Sequence, residues 1–270
     1  MSFLVRVLKL DRFEPNRIVT SNLVSPKTLA IVRFLEFLYV AVATITVWDS
    51  SDSAVDYFKY FTHLTYFGLM CYLLASALWG LFYLRQPESE RARWVKLGSP
   101  WWGYAHWLLY STVVTYSVVV PIVFWTLLAS GIGSWTPLEY YQNISEHALD
   151  GVFGALVELT LNRHFLQPIH SVFVAFVMIL YMLLTFIVHA TQGDWVYPFL
   201  SWSQGPIAAA YYIGIAIGLF IIYFILFAIH KYRNNALANN SIKINGDLDQ
   251  EYREHREKDL EGGEGNETIA

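Results

Sequence analysis

Residues able to carry acyl-transfer chemistry recur in three separated stretches of the chain. Thr62, His63 and Thr65 fall together, His147 and Asp150 follow, and His189 stands beside Thr191. A hydroxyl beside an imidazole beside a carboxylate is the set with which a base withdraws the hydroxyl proton while oxygen attacks a carbonyl. Asp150, one helical turn after His147, is placed to accept its ring N–H and fix the tautomer. Three other uses of the same residues stay open. Zinc held by His63, His147, His189 and Asp150 would suit a hydrolytic metal site, although no HExxH or CxxC accompanies it. Haem between helices is a second alternative. The third is plain hydrogen bonding between helices in a membrane scaffold or small-molecule carrier.

The elements that must position these residues are apolar. Of the 270 residues 55% are hydrophobic and only 15% charged, against roughly 25% charged in soluble domains. With 18 Phe, 18 Tyr and 10 Trp the chain carries far more apolar surface than a disordered one, and a single cysteine, Cys71, excludes a disulfide scaffold. A net charge of -4 lacks the concentrated basic face of a nucleic-acid binder. Apolar stretches long enough to cross a hydrocarbon core of roughly 30 Å run approximately over 27–48, 58–83, 104–129, 147–162, 170–191 and 207–230. The first carries Arg33 and Glu36, and the fourth is short and contains Asp150 and Glu158.

Charge asymmetry supports retaining both of these weaker stretches. Arg6, Lys9, Arg12, Arg17 and Lys27 precede the first span; Arg85, Arg91, Arg93 and Lys96 separate the second and third; Arg163 follows the fourth; and Lys231 and Arg233 follow the sixth. The alternate connections hold Asp52, Asp56, Glu139, Glu146 and Asp194 and no basic residue, with Lys59 just inside the second span. Basic residues stay cytoplasmic in short loops, so the expected fold is all-α and polytopic, with six transmembrane helices and both termini cytoplasmic. Residues 1–26 form a cytoplasmic N-terminal segment, 27–230 the transmembrane domain, and 231–270 a polar cytoplasmic tail without regular structure. No cleavable signal and no repeat is visible, so the first span serves as the insertion signal. Trp48, Trp101, Trp102, Trp135, Trp195, Tyr197 and Trp202 read as interfacial belts.

Ionisable groups inside spans face the bundle interior. On the fourth span Asp150, Gly151, Gly154 and Glu158 lie three, four, seven and eleven residues after His147, one polar and small-residue stripe on a helix. His106, His164, His170 and His230, at cytoplasmic span ends, are expected to be solvated or to snorkel, and Arg33 with Glu36 to form a local ion pair.

Three segments then carry a resemblance. KYFT at 59–62, His147 preceded by Asn143, and VHATQGDWVYPFL at 188–200 together resemble the androgen-induced membrane protein family, in matching order from about residue 59 to 232. The resemblance implies a six-span membrane hydrolase that cleaves fatty acid esters of hydroxy fatty acids with a threonine and a histidine and without a cofactor. Thr62 falls on the threonine and His147 on the histidine, with Asp150 or Glu158 as orienting groups and His63, Thr65 and His189 as supporting ones. Where the family has NHxxHT, this chain has Asn143, Ile144, Ser145, Glu146, His147 and Ala148, and the family's paired histidines of the fifth span are here His189 and Ala190. The partners implied are a lipid ester and the bilayer, no nucleic acid, and the membrane is that of the endoplasmic reticulum, with the plasma membrane as second choice.

Overall fold

The computed structural model describes residues 3–51, 53–88, 91, 100–130 and 132–263, with Pro100 by its backbone alone and side chains as far as 237. Asp52, Arg93 and Lys96 therefore lie outside the described residues. Every regular element among the described residues is helical. Two short helices, α1 (Phe3–Val7) and α2 (Asn16–Val19), precede α3 (Pro26–Asp49). After α4 (Ala54–Phe58) come α5 (Phe61–Arg85) and α6 (Pro100–Val123), which runs on as a π-helix over Phe124–Leu128. Next, α7 (Pro137–Ile144) continues through π-helical windings at Ser145–Leu149 and Gly151–Val157 into α8 (Glu158–Leu161). The last two are α9 (His170–Gln192) and α10 (Pro206–Gly263).

Among the described residues five helices are long and apolar enough to cross a membrane: Pro26–Asp49, Phe61–Arg85, Trp101–Leu128, His170–Gln192 and Pro206–Leu237. They coincide with five of the six stretches expected from the sequence. The expected fourth span falls in the run from α7 to α8, whose helical path is continuous but carries Glu139, Glu146, Asp150 and Glu158. The unit Met1–His230 contains the packed helices, and the unit Lys231–Ala270 is separate from it, with a helical backbone as far as Gly263.

Local chemistry explains where these helices begin. Ser25 caps α3 by accepting from the Thr28 amide at 3.1 Å, with Pro26 at the first helical position, where its missing N–H costs nothing. Thr136 and Glu139 form a capping box at α7. Pro121 removes one backbone donor near the end of α6, and the helix widens into its π-helical extension three residues later.

At the centre of the packing is α6, with 56% of its apolar window buried against 33% for α3 and α5 and 28% for α9. Trp107, Tyr110 and Val114 on α6 are fully buried, and they pack with Leu69, Tyr72 and Leu73 of α5. The polar stripe of the fourth segment faces inward as expected, with His147, Asp150, Gly154 and Glu158 all buried.

Its partners differ from the sequence expectation. Arg33 does not pair with Glu36; its Nε and Nη2 each donate to a Glu158 oxygen at 2.8 Å, and Nη1 donates to the Ile18 carbonyl at 2.5 Å. Tyr72 and Asn162 also donate to Glu158, at 2.6 and 2.7 Å. The long-range pair prevails because a bidentate fork with two further donors satisfies the buried carboxylate, whereas Glu36 offers only a neighbour on the same helix.

The four histidines expected in solvent are buried as well. The Nε2 of His106 meets the Ser76 hydroxyl at 2.8 Å, that of His170 donates to the Leu8 carbonyl at 3.0 Å, and that of His230 accepts from the Tyr110 hydroxyl at 2.6 Å. His164 packs against the rings of His106 and Tyr110. Hydroxyls on facing helices supply what water would otherwise provide.

Candidate functional site

Thr62 is the second residue of α5, so its position is set by how that helix starts. Ser53 caps α4 through the Asp56 amide, and Lys59 donates to Asp56 Oδ1 at 2.9 Å. The Ser53 hydroxyl and the Lys59 ammonium hold the Asp56 carboxyl below its ordinary range, and the hydrogen bond to Asp56 raises Lys59. The chain then turns at Lys59 and Tyr60 into α5, which has no side-chain cap of its own. Its first amide, that of Phe61, donates instead to the Tyr197 hydroxyl at 3.0 Å, from the connection 136 residues further on. The Thr62 amide and hydroxyl stand beside the same phenol oxygen, as does the Tyr181 hydroxyl. Tyr181 in turn donates to the Lys59 carbonyl at 3.1 Å.

Thr62 is buried at 8% exposure yet lines a cavity of about 620 Å³. Apart from Thr62, Thr185 and three tyrosines, the wall is aliphatic, methionine and phenylalanine side chains of α6 with its π-helical extension, α9 and α10, together with Phe61, Phe199 and Leu200. Volumes of 300–1,000 Å³ are typical of small-molecule sites. Val172, Phe176, Ile179 and Ile213 line the same cavity and are exposed on the outside of the helices, so its mouth opens between α9 and α10.

His147 lies behind one wall of this cavity. Its ring stacks face to face on Phe124, with centroids 3.6 Å apart and planes 3° from parallel, and Phe124 lines the cavity. No hydrogen bond joins Thr62 to His147, and the buried Nδ1 of His147 has no partner. Asp150 does not orient His147, contrary to expectation; its Oδ1 accepts from the Ser117 hydroxyl of α6 at 2.7 Å. The stripe turns Asp150 toward α6, where Gly154 lets Ser117 approach: a Cβ at residue 154 would lie 2.8 Å from the Ser117 Cβ. Glu158 is likewise excluded as an orienting group, since Arg33, Tyr72 and Asn162 occupy it.

The supporting residues divide. His63 donates from Nδ1 to the Tyr57 carbonyl at 2.7 Å and stacks on the Tyr57 ring, with centroids 4.2 Å apart. Its Nε2 stands 3.3 Å from both Glu146 Oε2 and Gln142 Nε2. Glu146 is buried and neither of its oxygens takes a hydrogen bond; the His63 imidazole beside it is an ion partner only in its protonated form. Thr65 turns away from Thr62: its hydroxyl donates to the Thr62 carbonyl at 3.0 Å, and it lines a second apolar cavity of about 610 Å³. His189 stacks on Trp195 at 4.2 Å and does not join the group around Thr62. Among the described residues no three His, Cys, Asp or Glu side chains converge on a position for a metal ion, so the zinc set of His63, His147, His189 and Asp150 is not assembled.

Two participants were missed. Glu146 looked like a loop acid, but it follows a buried serine on a π-helical winding whose wider turn brings it inside. Tyr197 read as an interfacial aromatic, yet its hydroxyl caps the helix that carries Thr62; the signal available was its place within WVYPFL, the most specific part of the resemblance.

Compared with protein-family models, with curated proteins and with solved structures, the chain matches none.

Proposed function

We propose that this protein is an integral membrane lipid-ester hydrolase in which Thr62 is the nucleophile and His147 the base. The observation that carries this reading is the buried Thr62 hydroxyl on the wall of an apolar cavity whose mouth lies between two lipid-facing helices. A long acyl chain enters such a cavity from the bilayer at no cost in polar desolvation, and a carbonyl at its head meets Thr62. Thr62 attacks, His147 takes the proton and returns it to the leaving hydroxyl, and water releases the acid from the acyl-threonine. The substrate class, fatty acid esters of hydroxy fatty acids, rests on the resemblance around 59–62, His147 and 188–200.

In this reading the Phe124 ring, stacked on His147, moves aside for the imidazole to meet Thr62. Phe124 begins one π-helical winding and His147 sits in another, and such windings recur at functional sites. Catalytic hydrogen bonds missing without substrate commonly form when it binds. The absence of a Thr62 to His147 bond favours a second reading, a non-catalytic lipid carrier. Loss of ester cleavage in Thr62→Ala and His147→Ala membranes at unchanged abundance separates the two.

The membrane arrangement proposed is six crossings with both termini cytoplasmic, in the endoplasmic reticulum. Two contacts support a fourth crossing by 137–161. Arg17 Nη1 donates to the Arg163 carbonyl at 2.8 Å, and His170 Nε2 to the Leu8 carbonyl at 3.0 Å. These contacts support a reading in which residues before the first crossing and after the fourth segment lie on one side, with an even number of crossings between them. The other three are α3, α5 and the third apolar helix.

A further inference from the structure

We propose that Tyr197 is a catalytic residue, the hydroxyl donor that stabilises the oxyanion formed when Thr62 attacks an ester. This rests on the hydrolase reading above and adds to it the group which that chemistry needs and which a transmembrane helix ordinarily lacks. Backbone amides inside a helix are occupied by carbonyls one turn earlier, so a nucleophile in mid-span would have no donors beside it. Thr62 is not in mid-span. As the second residue of α5 it belongs to the first turn, whose amides have no intrahelical acceptor.

The tyrosine is held for this task by the helix it caps. The Phe61 amide donates to its oxygen at 3.0 Å, and the Thr62 amide faces the same atom. The Phe61 amide can only donate, so it takes up a lone pair of the phenol oxygen and leaves the Tyr197 O–H as a donor, which a bound ester oxygen takes over from the neighbouring hydroxyls of Tyr181 and Thr62. Thr62 and Tyr197 both line the cavity, and their hydroxyls are neighbours. A carbonyl carbon brought to Thr62 Oγ1 therefore carries its oxygen to the phenol. The ring is fixed as well: Tyr197 stacks on Phe199 with centroids 5.3 Å apart and planes 5° from parallel, and meets Tyr60 edge-on at 5.9 Å. A preoriented donor in an apolar cavity is the arrangement that favours developing negative charge.

The step balances without a further reactant. Thr62 Oγ1 bonds to the carbonyl carbon as its proton passes to His147, and the carbonyl π pair moves onto oxygen. That oxyanion accepts the Tyr197 O–H hydrogen bond while the phenol keeps its proton. On collapse the C–O bond of the ester breaks, the pair returns to the carbonyl, and the departing alkoxide takes the proton from His147. Water repeats the sequence on the acyl-threonine.

The test pairs Tyr197→Phe with a change in the substrate. Membranes containing wild type, Tyr197→Phe or Thr62→Ala are given the palmitoyl ester of hydroxystearic acid and its thiono analogue, in which sulfur replaces the carbonyl oxygen and accepts hydrogen bonds poorly. Tyr197→Phe keeps the stacked ring and removes only the hydroxyl. The expected result is a fall in kcat of about a hundredfold or more with KM little changed. The preference for oxygen over sulfur, large in wild type, should shrink by a similar factor; being a ratio within one preparation, it is independent of protein abundance. A Tyr197→Phe variant with kcat within about threefold of wild type, or one that loses activity while keeping the full preference, overturns the proposal and leaves Tyr197 as a cap. Inactive wild type, or Thr62→Ala turning over as wild type does, defeats the hydrolase reading itself.

Discussion

The Phe124 ring lies flat on the His147 imidazole, 3.6 Å between centroids, and so stands between the candidate base and the cavity that Thr62 lines. Removing it should expose the imidazole. Phe124→Ala is expected to make His147 react with diethyl pyrocarbonate many times faster than in wild type, read as carbethoxylation of the peptide containing residue 147. Unchanged labelling would mean that the route from the cavity to His147 does not pass the Phe124 ring.

Arg33 and Glu158 should be the costliest pair to break in the transmembrane unit. Both are about 1% exposed, and neither has another ion of opposite sign bonded to it. Glu158→Leu leaves a buried guanidinium uncompensated and is expected to cost about 3–5 kcal/mol. The double variant Arg33→Met with Glu158→Leu should recover most of this loss. Thermal unfolding in detergent measures both, and additive losses in the double variant would contradict the pairing.

Gly154→Ala places a methyl group against the Ser117 side chain. Overpacking of about 1–3 kcal/mol is expected, with loss of the hydrogen bond from Ser117 to Asp150. Ser117→Gly in the same chain removes the clash. If that second change restores no stability to Gly154→Ala, the close approach of the two helices is not what makes glycine necessary.

The turn ahead of Thr62 is built to survive the neutral range. Asp56 is depressed in the folded chain, so its contribution is complete above the unfolded carboxyl value of roughly 4 and is lost only as pH falls through the lower folded value. Lys59 is raised, so its contribution is complete below roughly 10 and is lost as pH rises through a higher folded value. Stability between pH 5 and pH 9, roughly, should therefore be the same in wild type and Asp56→Asn apart from a constant offset. A pH-dependent gap within that window would show that other groups govern the turn.

Much of this arrangement was legible in the sequence, for reasons that differ by residue. Four of the five apolar helices were readable because runs of about 20 uncharged residues have few other uses, and the first, which carries Arg33 and Glu36, because basic residues alternate between the connections. The inward stripe of His147, Asp150, Gly154 and Glu158 followed from helical spacing. Partner choice was not readable: Glu158 reaches Arg33 across 125 residues, and Asp150 reaches Ser117 rather than the histidine one turn away. Sequence spacing describes one helix, whereas these partners are set by how helices face one another. The burial of His106, His170 and His230 was hidden for the same reason, because Ser76, Leu8 and Tyr110 lie on other segments.

The contact between Arg17 and the Arg163 carbonyl gives the proposed topology a direct test. With Cys71→Ser as background, Arg17→Cys and Arg163→Cys should cross-link to each other and react with an impermeant maleimide only from the cytoplasmic face. Labelling of the two from opposite faces would remove the fourth crossing.

Most direct of all is hydrolysis by the protein in its membrane. Wild type and Thr62→Ala, at matched abundance, are compared on a panel of fatty acid esters of hydroxy fatty acids. Turnover by wild type that falls about a thousandfold or more in Thr62→Ala is the predicted result. Wild-type protein that is inserted yet inactive across the panel, or a Thr62→Ala variant within tenfold or so of wild type, would contradict a threonine hydrolase.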